Sequence, residues 1–298
     1  PCGAYGITLH TVSGAKKDGE FIDSTTRILQ GASFVFTRET FSIKNLQEAG
    51  VDSPELGFVP DGTFAIDLLD EEKGEAFLAE NKLKEKEFIC VIPRLRYTPY
   101  HKIRKVNWSE EEIARREAHN EKYAEQDHAK LREAIIRWVR ETGKKTLVCP
   151  EMTYQLDIIG PLVVDPLPDD VKKNVVARKT YWLPDEAASV YRRAHTIISC
   201  ECHSPIISAA NATPCFYVRQ PEDTIKGQMY YDLGLDRWVF EIDQTEGRQI
   251  ADRLMEVAAD YPAALEYLGK AMQIVYDRFA KTMQTVEKTA IEKLNTNR

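Results

Sequence analysis

The chain has 298 residues, 43% of them hydrophobic and 29% charged, which is ordinary globular composition and enough length for two modest domains. Its net charge of −7 and pI of about 5.6 exclude a global basic field for nucleic acid or for an anionic membrane. No apolar run approaches the ~18 residues that span a bilayer. No signal-peptide pattern is legible, although the chain begins at Pro1 instead of Met and its start can lie upstream.

Strand-like and helical patterns alternate along the chain, which predicts an α/β fold with parallel sheets. "SFVFT" (33–37) reads as a short strand, and "ETFSIKNLQEAG" (39–50) as a helix stopped by Gly50. "LGFVPDGTFAID" (56–67) is a strand running into a loop, and "EEKGEAFLAENKL" (71–83) a short acidic helix. "EFICVIPRL" (87–95) is a strongly apolar strand that ends in arginines. A charged segment, 105–142, follows, with Ser109 and Glu112 placed for a capping box and "LREAIIRWV" (131–139) as its clear apolar face. Its first half reads as a solvated helix or an excursion over a cleft in preference to a binding element.

"KTLVCPEM" (145–152) is the next strand. "YWLPDEAASVYRRAH" (181–195) predicts a helix capped by Asp185, with His195 in its last turn. "TIIS" (196–199) is a buried strand, Ser204-Pro205 suits an N-cap followed by Pro at the first helical position, and "ATPCFYVRQ" (212–220) is another strand. After about 245 the apolar spacing is helical to the end. A break near 81–87 divides the chain into 1–83, 84–245 and the C-terminal helices 246–298.

The six cysteines are scattered, mostly in strand-like runs, which suits reduced buried thiols in a cytoplasmic protein better than a disulfide framework. Cys200, Cys202 and His203 depart from the common zinc spacings, and neighbours in a strand face opposite ways, so no metal is expected. No P-loop, G-x-S-x-G or G-x-G-x-x-G is present, and no cofactor is expected.

Parallel sheets place ligands at the carboxyl ends of their strands, beside helix N-termini. Arg38 follows "SFVFT", Arg94 and Arg96 follow "FICVIP", and Glu201 and His203 follow "HTIIS". Lys226 lies in the loop after "CFYVRQ". Guanidinium, ammonium and imidazole groups at such ends make an anion pocket, with Ser204 at the helix start. His203 is the principal candidate for chemistry, and His10 in "GITLHTVSG" a second histidine candidate.

These residues stand in motifs that resemble the polysaccharide pyruvyl transferases. The family carries R-D-x-x-S-x-x-x-L-x-x-x-G-V, matched here by "TRETFSIKNLQEAGV" (37–51) with Glu39 for the aspartate. A P-D-x-x-F-x-L segment corresponds to "VPDGTFAID" (59–67). Further on, the R-L-H-S segment with its flanking apolar residues corresponds to "AHTIISCECHSPIISAANATP" (194–214), followed by Lys226 and "DLGL" (232–235). The resemblance covers most of 33–243. It implies two Rossmann-like parallel-sheet domains facing a cleft, GT-B-like, with residues 1–80 only part of the first domain.

It also implies transfer of an enolpyruvyl group from phosphoenolpyruvate to a sugar or glycan hydroxyl as a ketal. Arg38 and His203, with Lys226, would line the donor site; His203 would be the acid or base, and Arg94 would add charge. Glu201 stands where the family has arginine, and would orient His203 or hold an acceptor hydroxyl. Two other readings stay open: a GT-B-like glycosyltransferase using a nucleotide sugar, and a non-catalytic glycan-binding relative. Phosphoenolpyruvate and a glycan are the expected partners, without nucleic acid or a membrane span, and homo-oligomerisation is left open.

Overall fold

The computed structural model describes residues 2–9, 16–17, 20–21, 28–51 and 55–296. His10 lies outside the described residues. The chain groups into two compact units, one formed by Pro1–Phe64, Asp223–Arg237 and Gly269–Arg298, the other by Ala65–Glu222 and Trp238–Leu268.

The first unit holds a parallel sheet in the order β1 (Gly3–Ile7), β4 (Phe34–Thr37), β5 (Leu56–Phe58), and a short antiparallel pair, β2 (Lys16–Lys17) with β3 (Glu20–Phe21). Side chains alternate across β4. Val35 joins Leu29, Ala32, Leu46 and Val51 on one face, while Phe34 and Phe36 pack with Val59, Phe279 and Val286 on the other. The helix Thr40–Glu48 is capped by Glu39, whose carboxylate accepts from the Ser42 amide at 2.7 Å and from the Ser42 hydroxyl. Gly50, at φ +75°, ends this segment in the left-handed region open to glycine.

The second unit is built on six parallel strands in the order β11 (Val239–Glu241), β10 (Cys215–Arg219), β9 (Thr196–Ser199), β6 (Phe88–Ile92), β7 (Lys145–Val148), β8 (Val175–Ala177). Sequence order runs outward from β6 on one side and from β9 on the other. That is the doubly wound arrangement, with its topological switch point between β6 and β9. β6 is buried along its whole length, which explains why "FICVI" lacks alternation: helices cover both faces of a parallel sheet.

Ser109 caps a single 33-residue helix, Glu110–Thr142, its hydroxyl accepting from the Glu112 amide at 3.1 Å. The Glu112 carboxylate goes to Arg115 and Arg116. Leu131, Ile135 and Trp138 of this helix are fully buried.

Three local expectations are corrected. The helix Pro184–Tyr191 starts after Leu183, so Asp185 lies in its first turn and is not its cap; Pro184 supplies the preset first position. His195 lies beyond that helix, its amide bonded to the Phe88 carbonyl at 2.7 Å, and its ring packs on Trp138 and Tyr261. It is a buried aromatic partner instead of a terminal cation. The helix His203–Ala210 is preceded by Cys202, so Ser204 sits inside the first turn and is not the N-cap. The segments also group differently from the contiguous stretches expected. The helix Glu71–Glu80 belongs with the large sheet, where Gly74 packs so closely on Ser189 that a Cβ would come within 2.6 Å of the serine Cβ.

Among the described residues, no helix is long and apolar enough to cross a membrane. All six cysteines are free thiols, five of them buried.

Candidate active site at the switch point of the large sheet

The loops that leave β6, β7, β9 and β10 at their carboxyl ends bring four polar side chains onto one another. Ile92 and Ser199 are register partners, so Arg94 and Glu201 leave adjacent strands side by side. Arg94 Nε lies 3.4 Å from Glu201 Oε1, with the two side chains only 12% and 9% exposed. Arg94 also donates to the Gln220 side-chain oxygen at 3.2 Å, and the Gln220 amide donates back to the Arg94 carbonyl at 3.1 Å. Gln155, fully buried, donates to Glu201 Oε1 at 2.8 Å. Its own oxygen accepts from the amides of Glu151 and Met152 at 2.6 and 2.9 Å.

Glu151 follows β7 and reaches the first turn of the helix after β9. One carboxylate oxygen accepts from both the amide and the hydroxyl of Ser204, each at 2.7 Å. The other lies 3.5 Å from Nδ1 of His203. Burial pushes the Glu151 carboxyl up. The bonds from His203 and Ser204 outweigh that and hold it below its usual range. Tyr191 extends the chain, its hydroxyl 3.2 Å from the Ser204 oxygen, and burial raises that phenol well above its ordinary value. The His203 side chain itself is 41% exposed. The result is an imidazole with one nitrogen beside a carboxylate that is itself fixed by Ser204.

Four of the expected residues, Arg94, Glu201, His203 and Ser204, thus meet in the second unit. Arg38 and Lys226 belong to the first. Arg38 donates to Asp61 at 2.5 Å and to the Thr8 hydroxyl at 2.7 Å. Burial raises the Asp61 carboxyl, but the Thr63 amide and Arg38 together bring it below its ordinary value. Lys226 sits half-buried in the short turn Ile225–Gly227.

Arg96, expected to join a cationic pair, is instead buried among acids. It pairs with Asp127 at 2.8 Å, with Asp243 at 2.5 Å and with Glu222 at 3.7 Å, and it stacks on Tyr123. Among the described residues, no group of three or more His, Cys, Asp or Glu side chains could hold a metal ion.

Sequence reasoning passed over Glu151, Gln155 and Gln220. Glu151 directly follows "KTLVCP" and Gln220 directly follows "CFYVR", so the strand-end rule that picked Arg94 reaches both. Gln155 carries no comparable signal.

Two parallel α/β sheets, one of them doubly wound, define a GT-B-type fold, and solved structures agree. The UDP-forming α,α-trehalose-phosphate synthase of Burkholderia xenovorans matches with a TM-score of 0.52 at 10% identity, over 93% of this chain and 65% of its own. The UDP-GlcNAc 2-epimerase of Neisseria meningitidis matches at 0.51 and 13% identity, over 94% of this chain and 70% of its own. A glycosyltransferase of Rickettsia africae matches at 0.53 and 11% identity, over 92% and 67%. The chain therefore spans just under two-thirds of the first of these. At such identities the likeness speaks for the fold alone. The sequence matches no curated protein. The chain belongs to the polysaccharide pyruvyl transferase family, whose model matches residues 1–220.

Proposed function

We propose that this chain transfers the enolpyruvyl group of phosphoenolpyruvate to a sugar or glycan diol as a cyclic ketal. The observation that supports this most is His203, half-exposed at the switch point with Nδ1 against a buried carboxylate. In the proposed reaction the methylene carbon of phosphoenolpyruvate takes a proton and becomes a methyl group. One sugar hydroxyl adds to the neighbouring carbon and loses its proton. Phosphate leaves with the C–O bonding pair, and the second hydroxyl closes the ketal and loses its proton. His203 would deliver or accept these protons, and Glu151 would stabilise the imidazolium between transfers.

Glu201 bears on the donor. Its charge offsets that of Arg94, so the pair presents little net charge to a phosphate or carboxylate. In this reading Glu201 accepts a hydrogen bond from an acceptor hydroxyl, while Arg94 becomes available to the donor when Glu201 turns to the sugar. Incubation with phosphoenolpyruvate and a sugar panel is the direct test. Phosphate release with a new ketal methyl signal in the proton NMR spectrum is expected. Neither product with any sugar sinks the assignment.

Glu201 also favours a second reading, a nucleotide-sugar transferase, because a carboxylate at a switch point suits ribose hydroxyls. Thermal shift separates the two: stabilisation by UDP or GDP but not by phosphoenolpyruvate favours the second.

A further inference from the structure

The carboxyl ends of β9, β6, β7 and β8 form a line at about 4.8 Å per strand. The cluster around His203, Arg94 and Glu151 uses the first three. At the fourth, past Ala177, lies a groove of about 480 Å³ lined in part by Phe77, Glu80, Asn81, Lys179 and Thr180. That volume falls within the roughly 300–1,000 Å³ of small-molecule sites.

Its floor is stiff. The Arg178 guanidinium lies 4.6 Å from the Phe77 ring centre and 4.3 Å from that of Trp182, and it is held by Glu186 at 2.7 Å and the Thr180 carbonyl at 3.0 Å. Glu186 offsets the charge of Arg178, and Asp70 offsets that of Lys73 at the rim, at 2.6 Å. Lys179 and Glu80 add one charge of each sign. A groove without a single-sign field, offering amide, hydroxyl, ammonium and carboxylate groups around an aromatic wall, suits an uncharged ligand with many hydroxyls.

Tyr181 ties this groove to the reacting cluster. It directly follows Thr180 at the lining, and its hydroxyl donates to the Glu151 carbonyl at 3.2 Å. The residue remains 42% exposed, an aromatic face open beside the cluster. Such a face packs against the C–H face of a pyranose ring while neighbouring polar groups bond its hydroxyls.

We propose that the groove at the end of β8, together with Tyr181, is a glycan subsite that holds a sugar unit next to the one whose hydroxyls react. It rests on the transferase reading above and extends it: the acceptor is an oligosaccharide, recognised over more than its reacting unit.

The test starts with a printed array of defined mono- to tetrasaccharides. The strongest-binding oligosaccharide and its terminal monosaccharide are then titrated into the wild type, Tyr181→Ala and Ala76→Arg. Ala76 lies on the exposed side of its helix at the groove, so an arginine there fills the groove with the fold kept. The oligosaccharide is expected to bind the wild type at least about tenfold more tightly than the monosaccharide, and each variant to lose about five- to tenfold of its affinity.

An array without signal, equal affinities for the two sugars, or oligosaccharide binding that ignores both variants overturns the subsite. Phosphoenolpyruvate is assayed separately by thermal shift. Stabilisation by phosphoenolpyruvate with glycan binding blind to both variants removes the subsite and leaves the donor reading standing. Variant-sensitive glycan binding without any response to phosphoenolpyruvate does the reverse.

Discussion

Glu151 and His203 leave strands that are not neighbours: β6 lies between β7 and β9, yet Oε1 and Nδ1 come within 3.5 Å. Strand axes two steps apart are about 9.6 Å from one another, so the pair arches over the end of β6, where the Arg94 loop emerges. The carboxylate grips the following residue as well, through the amide and hydroxyl of Ser204. It therefore fixes the helix start and the imidazole together.

Glu151→Gln keeps the shape and removes the charge. Turnover is expected to fall by about 10²- to 10⁴-fold, because the imidazolium loses its counter-charge. Stability responds with a definite sign. The folded carboxyl is held below its ordinary value, so its contribution is present above the unfolded value of about 4.3 and is lost as pH falls through the folded value. Urea unfolding at neutral pH should show the variant less stable by about 1–3 kcal/mol, with the gap closing as the solution is acidified.

Glu201→Gln removes the counter-charge of Arg94 while retaining a side-chain oxygen for Gln155. The affinity for phosphoenolpyruvate is expected to rise about tenfold, read as a larger thermal shift at fixed ligand. Unchanged or weaker binding would mean that Arg94 does not meet the donor. The buried pair is broken in this variant, and a loss of about 1–3 kcal/mol in the ligand-free protein is expected beside the gain.

In the first unit, Arg38 and Asp61 should be strongly coupled. A double-mutant cycle with Arg38→Ala and Asp61→Ala is expected to give an interaction energy of about 0.5–3 kcal/mol in denaturant unfolding. A value near zero would show that the 2.5 Å contact does not persist in solution.

His195 makes acid weaken the fold. Burial first, then Lys144 and Lys86, lowers its imidazole to about 4. The unfolded chain takes up a proton near pH 6.5 that the folded chain refuses until about 4. Stability is therefore full above 6.5 and falls with acidification at about 1.4 kcal/mol per pH unit. His128, buried and likewise lowered, adds to the slope. His195→Phe should flatten the stability profile between pH 6.5 and 4, and an unchanged slope would contradict the assignment.

The strands of the large sheet were legible because a parallel strand buried on both faces is written as an unbroken apolar run, as in Phe88–Ile92. The strand-end rule then found Arg94, Glu201 and His203, since strand ends are marked by the run stopping. It could not say which ends meet. β9 lies beside β6 although more than a hundred residues separate them in sequence, and only that crossover sets Glu201 against Arg94. Nor could residue type separate Arg94 from Arg96: one chain step beyond Leu95, the second arginine falls among Asp127, Asp243 and Glu222. Helix starts were misplaced by two residues at Ser204 and Asp185: the Ser204 hydroxyl donates to the distant Glu151, and the Asp185 carboxylate accepts from the next amide, that of Glu186.

The segment from Arg38 to Asn45 has a consequence of another kind. Arg38 binds Thr8, Glu39 caps the helix through Ser42, the Ser42 hydroxyl accepts from the Leu9 amide at 2.7 Å, and Asn45 donates to the Leu9 carbonyl at 3.1 Å. The stretch most like the family signature is thus a buckle that fastens the chain leaving β1. The loops at Arg94, Glu151 and Glu201 belong to the other unit, so what this motif fixes is the chain path of its own unit.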